Sequence, residues 1–99
     1  MATFILLSTL TDDGAATIKD DPGRIKQVNE ELAQMGVRVI DQWAVLGQYD
    51  FVNIVEAPDN ATIARVSAEL GARGSVRIMT LPAIPIDEFI ASFKASTNK

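Results

Sequence analysis

Residues 46–59 read LGQYDFVNIVEAPD, and this run restricts the fold more than any other part of the chain. Gly47 precedes Tyr49 and Asp50, a stretch rich in strand-forming residues follows, and Pro58-Asp59 closes it. Turn, strand, turn is the physical reading, with an aromatic hydroxyl and a carboxylate held where the strand begins. Phe51 and Val55 alternate with Val52 and Ile54, so both faces of this strand are apolar. Such a strand belongs inside a sheet rather than at its margin. Asn53 interrupts the face shared by Phe51 and Val55, and a buried amide must find hydrogen-bond partners.

The flanking segments supply the rest of one domain spanning residues 1–99. Residues 3–10 are apolar without clean alternation, which predicts a central strand covered on both sides. Residues 11–18 are polar and Ala-rich and suit a short helical turn. Asp20-Asp21-Pro22 then resembles a helix start, a capping carboxylate followed by proline at the first helical position. Ile25, Val28, Leu32 and Met35 recur at steps of three and four, one stripe facing a sheet, and Gly36 stops that helix.

Residues 37–44 read as the second strand, with Val37, Val39 and Trp43 on one face and Arg38, Ile40 and Gln42 on the other. Strand 50–56 pairs with it as a hairpin. A helix over 61–72 buries Ile63, Val66 and Leu70, a fourth strand covers 76–81, and a last helix 86–94 follows Pro82 and Pro85. Residues 95–99 read as a frayed tail. The order β-α-β-β-α-β is a ferredoxin-like α+β sandwich, a four-stranded antiparallel sheet with an added C-terminal helix.

Two helices cover one face of such a sheet. Val76 and Ile78 alternate with Met79 and Leu81, so the uncovered face is apolar as well. A last helix of about 10 residues at 1.5 Å each is too short to cover four strands. The arrangement therefore predicts a homo-oligomer built through the sheet face, a dimer or a multiple of dimers.

Composition removes several chemistries. The chain has no Cys and no His, which excludes disulfides, thiol nucleophiles, His-liganded metal and imidazole acid–base work. No cofactor or metal is expected. A net charge of −4 with scattered Lys and Arg argues against nucleic acid. No segment approaches a membrane span, and the start lacks the charged and apolar regions of a secretory signal, so a cytoplasmic protein is expected.

Tyr49 and Asp50 lead the candidate ligand-binding residues, although Gly, Asp and aromatic residues are also ordinary at hairpin turns. Lys19 and Asp20 precede the long helix, where an anionic ligand could meet Lys19, or where Asp20 could cap. Asn53 could line a small polar pocket between the sheet and its partner, and Trp43 could wall a ligand site or pack in an interface. A non-catalytic module binding a small ligand or a partner in a sheet-face cavity fits these features best. The alternative is a small cofactor-free enzyme using Asp50 with Tyr49 or Lys19, which requires those side chains to converge.

The chain also resembles the GYD-domain family. Thr17-Ile18-Lys19-Asp20 with Pro22, Leu46-Gly47 with Tyr49-Asp50, Glu56-Ala57-Pro58-Asp59, and the closing Thr80-Leu81 and Glu88-Phe89 carry the resemblance in order along nearly the whole length. It implies a dimeric α/β-barrel type of assembly, two sheets packed face to face. Isomerases and monooxygenases share that fold group.

Overall fold

A computed structural model describes residues 1–97 of the chain. The order is β1 (Ala2–Leu10), α1 (Asp12–Asp20), α2 (Arg24–Gln34), β2 (Arg38–Ala44), β3 (Phe51–Ala57), α3 (Asn60–Ala72), β4 (Val76–Ala83) and α4 (Ile86–Thr97). The four strands form one antiparallel sheet in the order β2-β3-β1-β4, the ferredoxin-like arrangement. β1 and β3 are central, as their two-sided apolar composition requires.

Register assigns each side chain to a face. Leu6 lies opposite Asn53 on one side and Thr80 on the other, and Leu7 lies opposite Val52 and Met79. The first set faces α1, α2 and α3. There Phe4, Leu6, Val37, Val55 and Val66 are fully buried, joined by Leu32, Ile63 and Leu70 from the helices. Ile63, Val66 and Leu70 recur at helical spacing and seat α3 on the sheet. Ser67 of α3 and Thr80 of β4 share a 2.9 Å hydroxyl–hydroxyl bond that fixes the rotation of this helix.

Local chemistry corrects the expected boundaries in four places. Residues 12–20 form a full helix rather than a turn, because the Thr11 hydroxyl caps it and Asp12 and Asp13 suit its positive end. α2 therefore starts only at Arg24. Asp20 closes α1 instead of capping α2, and Pro22-Gly23 lie in the turn between the two helices, whose start has no side-chain cap. β4 runs through Pro82 to Ala83, which an edge strand tolerates because one side of its backbone makes no ladder. α4 continues to Thr97, into the stretch read as a tail, and residues 98–99 lie outside those described.

A further correction, to strand pairing rather than to a boundary, has the largest consequence. The pairing of β2 with β3 slips between Val39 and Asp41, leaving Ile40 as an extra residue. Everything beyond it changes face. Val37 and Val39 pack in the core, but Gln42 now points to the helices and Trp43 to the opposite side, the reverse of strict alternation.

The face away from the helices carries Ile5, Leu7, Val52, Ile54, Trp43, Met79 and Leu81. Trp43 is 51% exposed and Met79 49%. The molecule measures 57 × 29 × 19 Å along its principal axes, with α4 at the C-terminal end of the chain. Along it Phe89 and Phe93 meet edge to face with centroids 5.0 Å apart, and both stay exposed.

Candidate functional site

A cavity of about 140 Å³ lies between the sheet and the helix layer. Its existence follows from how α1 is anchored. Thr11 N–H donates to the Ser75 carbonyl at 3.0 Å, and the Thr11 hydroxyl donates to the Gly74 carbonyl at 2.6 Å. The same hydroxyl oxygen accepts from Gly14 N–H at 3.2 Å. One residue thus caps α1 and fixes it to the loop before β4. Gly14 rests on that loop so closely that a Cβ there would stand 2.0 Å from the Ser75 oxygen. The rest of α1 leans over the sheet beside α2, and the space beneath remains open.

The floor is mostly apolar, with Leu6, Leu10, Phe51, Val76 and Ile78 from three strands. Ile18 of α1 and Ile25, Val28 and Leu32 of α2 supply the roof. Three polar side chains join the floor: Ser8, Gln42 and Asn53. Gln42 is held by a reciprocal amide pair with Asn29 of α2, at 2.8 and 3.2 Å. Asn53 differs. Its Oδ1 is buried and, among the described residues, has no hydrogen-bond partner. An unpaired buried amide oxygen costs free energy on folding, so its persistence calls for a reason.

The mouth is charged. Arg24 and Arg73 line it, each with a side chain 39% exposed, and both engage Glu31 of α2. Arg24 Nη2 lies 3.4 Å from Glu31 Oε1, and Arg73 Nη2 donates to Oε2. The hydrogen bond from Arg73, with the nearby charges of both guanidiniums, holds the Glu31 carboxyl below its ordinary value. Two cations against one anion leave the mouth with a surplus positive charge.

The residues singled out in the sequence occupy different places. Asn53 lines the cavity, on the helix side of the sheet rather than between the sheet and a second copy. Asp50 stitches strands together: its N–H donates to the Ser8 carbonyl and its Oδ2 accepts from Leu10 N–H, both at 2.8 Å. Val45 N–H closes the turn onto the Asp50 carbonyl at 2.8 Å, and Gly47 at φ +110° makes the reversal possible. The Tyr49 hydroxyl donates to Met79 Sδ at 3.6 Å, toward the bare face. Trp43 is on that face too, and Lys19 and Asp20 are exposed in the last turn of α1. Among the described residues no hydrogen bond or ion pair joins Lys19, Tyr49 and Asp50 to one another.

Ser8, Gln42, Arg24, Arg73 and Glu31 are the site residues that sequence reasoning passed over. Ser8 had a signal, since it shares the register of Phe4 and Leu6 in β1 and is buried. Arg24 and Glu31 stand seven apart, two turns along one face of α2. Arg73 gave none, because its partner is 42 residues away. No three acidic side chains among the described residues gather as a metal site. No described helix is long and apolar enough to cross a membrane.

No solved structure matches the chain. A protein of Thermus thermophilus, named glutamine synthetase and cystathionine beta-lyase binding protein, is 61% identical over 95 residues. That alignment covers 95% of this chain and the whole of the relative. The profile of the GYD domain matches residues 4–92, taking in the hairpin Gly47-Tyr49-Asp50, all of β2, β3 and β4 and most of β1. The chain belongs to the GYD-domain family.

Proposed function

We propose that the chain is a protein-binding module that works as a pair, two copies packed sheet face to sheet face in the cytoplasm. The bare apolar face carries this reading. Ile5, Leu7, Val52 and Ile54 at its centre and Trp43, Met79 and Leu81 around them form one contiguous surface. Soluble monomers seldom leave a patch of that kind open. A second copy matches it by symmetry, since an isologous contact sets the same surface against itself. Arg38 and Glu56, paired at the end of β2 and β3, give the patch a polar border.

The pair is then the unit that engages other proteins. The relative's name supports glutamine synthetase and cystathionine beta-lyase as the partners to test. The scattered positions of Lys19, Tyr49 and Asp50 favour binding over catalysis.

The test has two stages. Sedimentation of the purified protein is expected to give a dimer, and purified glutamine synthetase and cystathionine beta-lyase are expected to bind it on a biosensor surface. A monomer that stays monomeric at high concentration defeats the assembly, and failure to bind either enzyme defeats the partner assignment.

A further inference from the structure

The cavity under α1 and α2 has a chemistry that partner binding does not use, and it lies across the sheet from the surface assigned to the second copy. Two polar side chains in its floor are unsatisfied. Asn53 keeps Oδ1 sealed in the fold and turns its amide nitrogen to the open space, and among the described residues neither atom has a hydrogen-bond partner. Ser8 is 6% exposed, and its hydroxyl opens on the same space, again with no partner among the described residues. Ser8 follows Leu6 by two along β1, and Leu6 lies opposite Asn53, so the two side chains are diagonal neighbours on one face. The remaining polar side chain of the floor, Gln42, is held by Asn29. Around them stand Leu6, Phe51, Val28, Leu32 and Ile78. An ordered water needs about two to four polar partners, and walls of this kind offer none. The volume of about 140 Å³ is near that of a cavity known to admit benzene, roughly 150 Å³.

We propose that this cavity binds a small neutral carbonyl compound, a compact apolar body carrying an oxygen that accepts and does not donate. The amide nitrogen of Asn53 is purely a donor, and the Ser8 hydroxyl donates as readily as it accepts, so the floor calls for an acceptor. A carbonyl oxygen has two lone pairs and takes one bond from each group, while the body fills the apolar space above. A carboxylate fits less well. Both donors are uncharged, and an ionised group taken in among apolar walls is left without a counter-charge. Arg24 and Arg73 stand at the mouth, where Glu31 engages both. The inference goes beyond the protein-binding reading and does not rest on it.

Three probes, each with as many heavy atoms as benzene, separate the parts. Cyclopentanone carries ring and acceptor, methylenecyclopentane keeps the shape without the acceptor, and cyclopropanecarboxylate carries a charge. Each is titrated into the full chain and followed by amide shifts in 1H–15N NMR. Cyclopentanone is expected to bind at least as tightly as methylenecyclopentane. Water holds the ketone better, but the floor restores the hydrogen bonds that it gives up on entry. It should also bind tighter than the carboxylate, with the shifts centred on Leu6, Ser8, Asn53 and Ile78. In Asn53→Leu, and again in Ser8→Ala, the preference for ketone over hydrocarbon falls about fivefold, as one lost hydrogen bond implies.

The wild-type titrations stand alone should either variant fold poorly. Tighter binding of the hydrocarbon, or a preference unchanged in both variants, overturns the role of the two donors. Tighter binding of the carboxylate overturns the neutral class. No binding of any probe, or shifts centred on Ile5, Ile54 and Trp43, overturns the proposal. None of these outcomes bears on whether the chain pairs or binds enzymes.

Discussion

Leu6 and Leu7 are neighbours in the chain and opposites in the fold. Leu6 is sealed beneath the helices, whereas Leu7 is half-buried on the opposite face of the sheet. The two faces of this sheet are about equally apolar, yet only one is covered. The difference teaches that hydrophobic content alone does not say where a core ends. What decides is whether the connections deliver helices to both sides, and in this topology they deliver to one.

The sharpest way to break this comparison is to shorten the two leucines in turn. Leu6→Ala should cost about 2–5 kcal/mol in chemical denaturation. Leu7→Ala should cost less in dilute solution, with a penalty that grows with protein concentration as pairing covers the face. If the two variants lose the same amount at every concentration, the faces are energetically equivalent and the contrast is wrong. Gly14→Ala comes next, at about 1–3 kcal/mol, because the added methyl meets a backbone carbonyl that cannot turn aside. The denaturation midpoint measures it, and an unchanged midpoint would show that α1 is not seated as described.

Asn53→Leu should act in the opposite direction, raising stability by about 1 kcal/mol without ligand, since it removes an unpaired buried oxygen. A loss would mean that the oxygen is satisfied in solution. Trp43→Asp should leave the chain's own stability within about 0.5 kcal/mol and shift sedimentation toward the monomer. A variant that still pairs would remove Trp43 from the interface.

The smallest effect concerns pH. Backbone and hydroxyl hydrogen bonds from Thr62 hold Asp59 below its ordinary 3.8. With the folded value depressed, its contribution is present above pH 3.8 and is lost as pH falls through the lowered value. Asp59→Asn keeps a capping oxygen and drops the titration. Its thermal midpoint should therefore fall less than the wild type's on acidification below about pH 4. Parallel acid profiles for the two proteins would remove Asp59 from the acid response.

Strand count, the central place of β1 and β3, and the sheet-facing stripes of α2 and α3 were legible because each rests on local sequence pattern. Asn53 was legible as a misfit, an amide where alternation called for an apolar side chain. The side on which its cavity lies was not. That depends on α1, whose nine helical residues follow from a single cap at Thr11 and a backbone contact with Ser75, far along the chain. Gln42 and Trp43 were placed on the wrong faces for a related reason. One extra residue at Ile40 reverses everything after it, and nothing in RVIDQW announces the slip. Arg73 is legible only once α3 has been folded back over α2.

Both margins of the sheet carry irregularities with a further consequence. Pro82 sits in β4 and has no N–H to offer a newcomer, and the displaced Ile40 breaks the regular spacing of donors and acceptors along β2. A foreign strand meets a faulty template on either side. Lateral addition of strands, the route by which exposed sheets become fibres, is disfavoured at both margins of the four-stranded sheet.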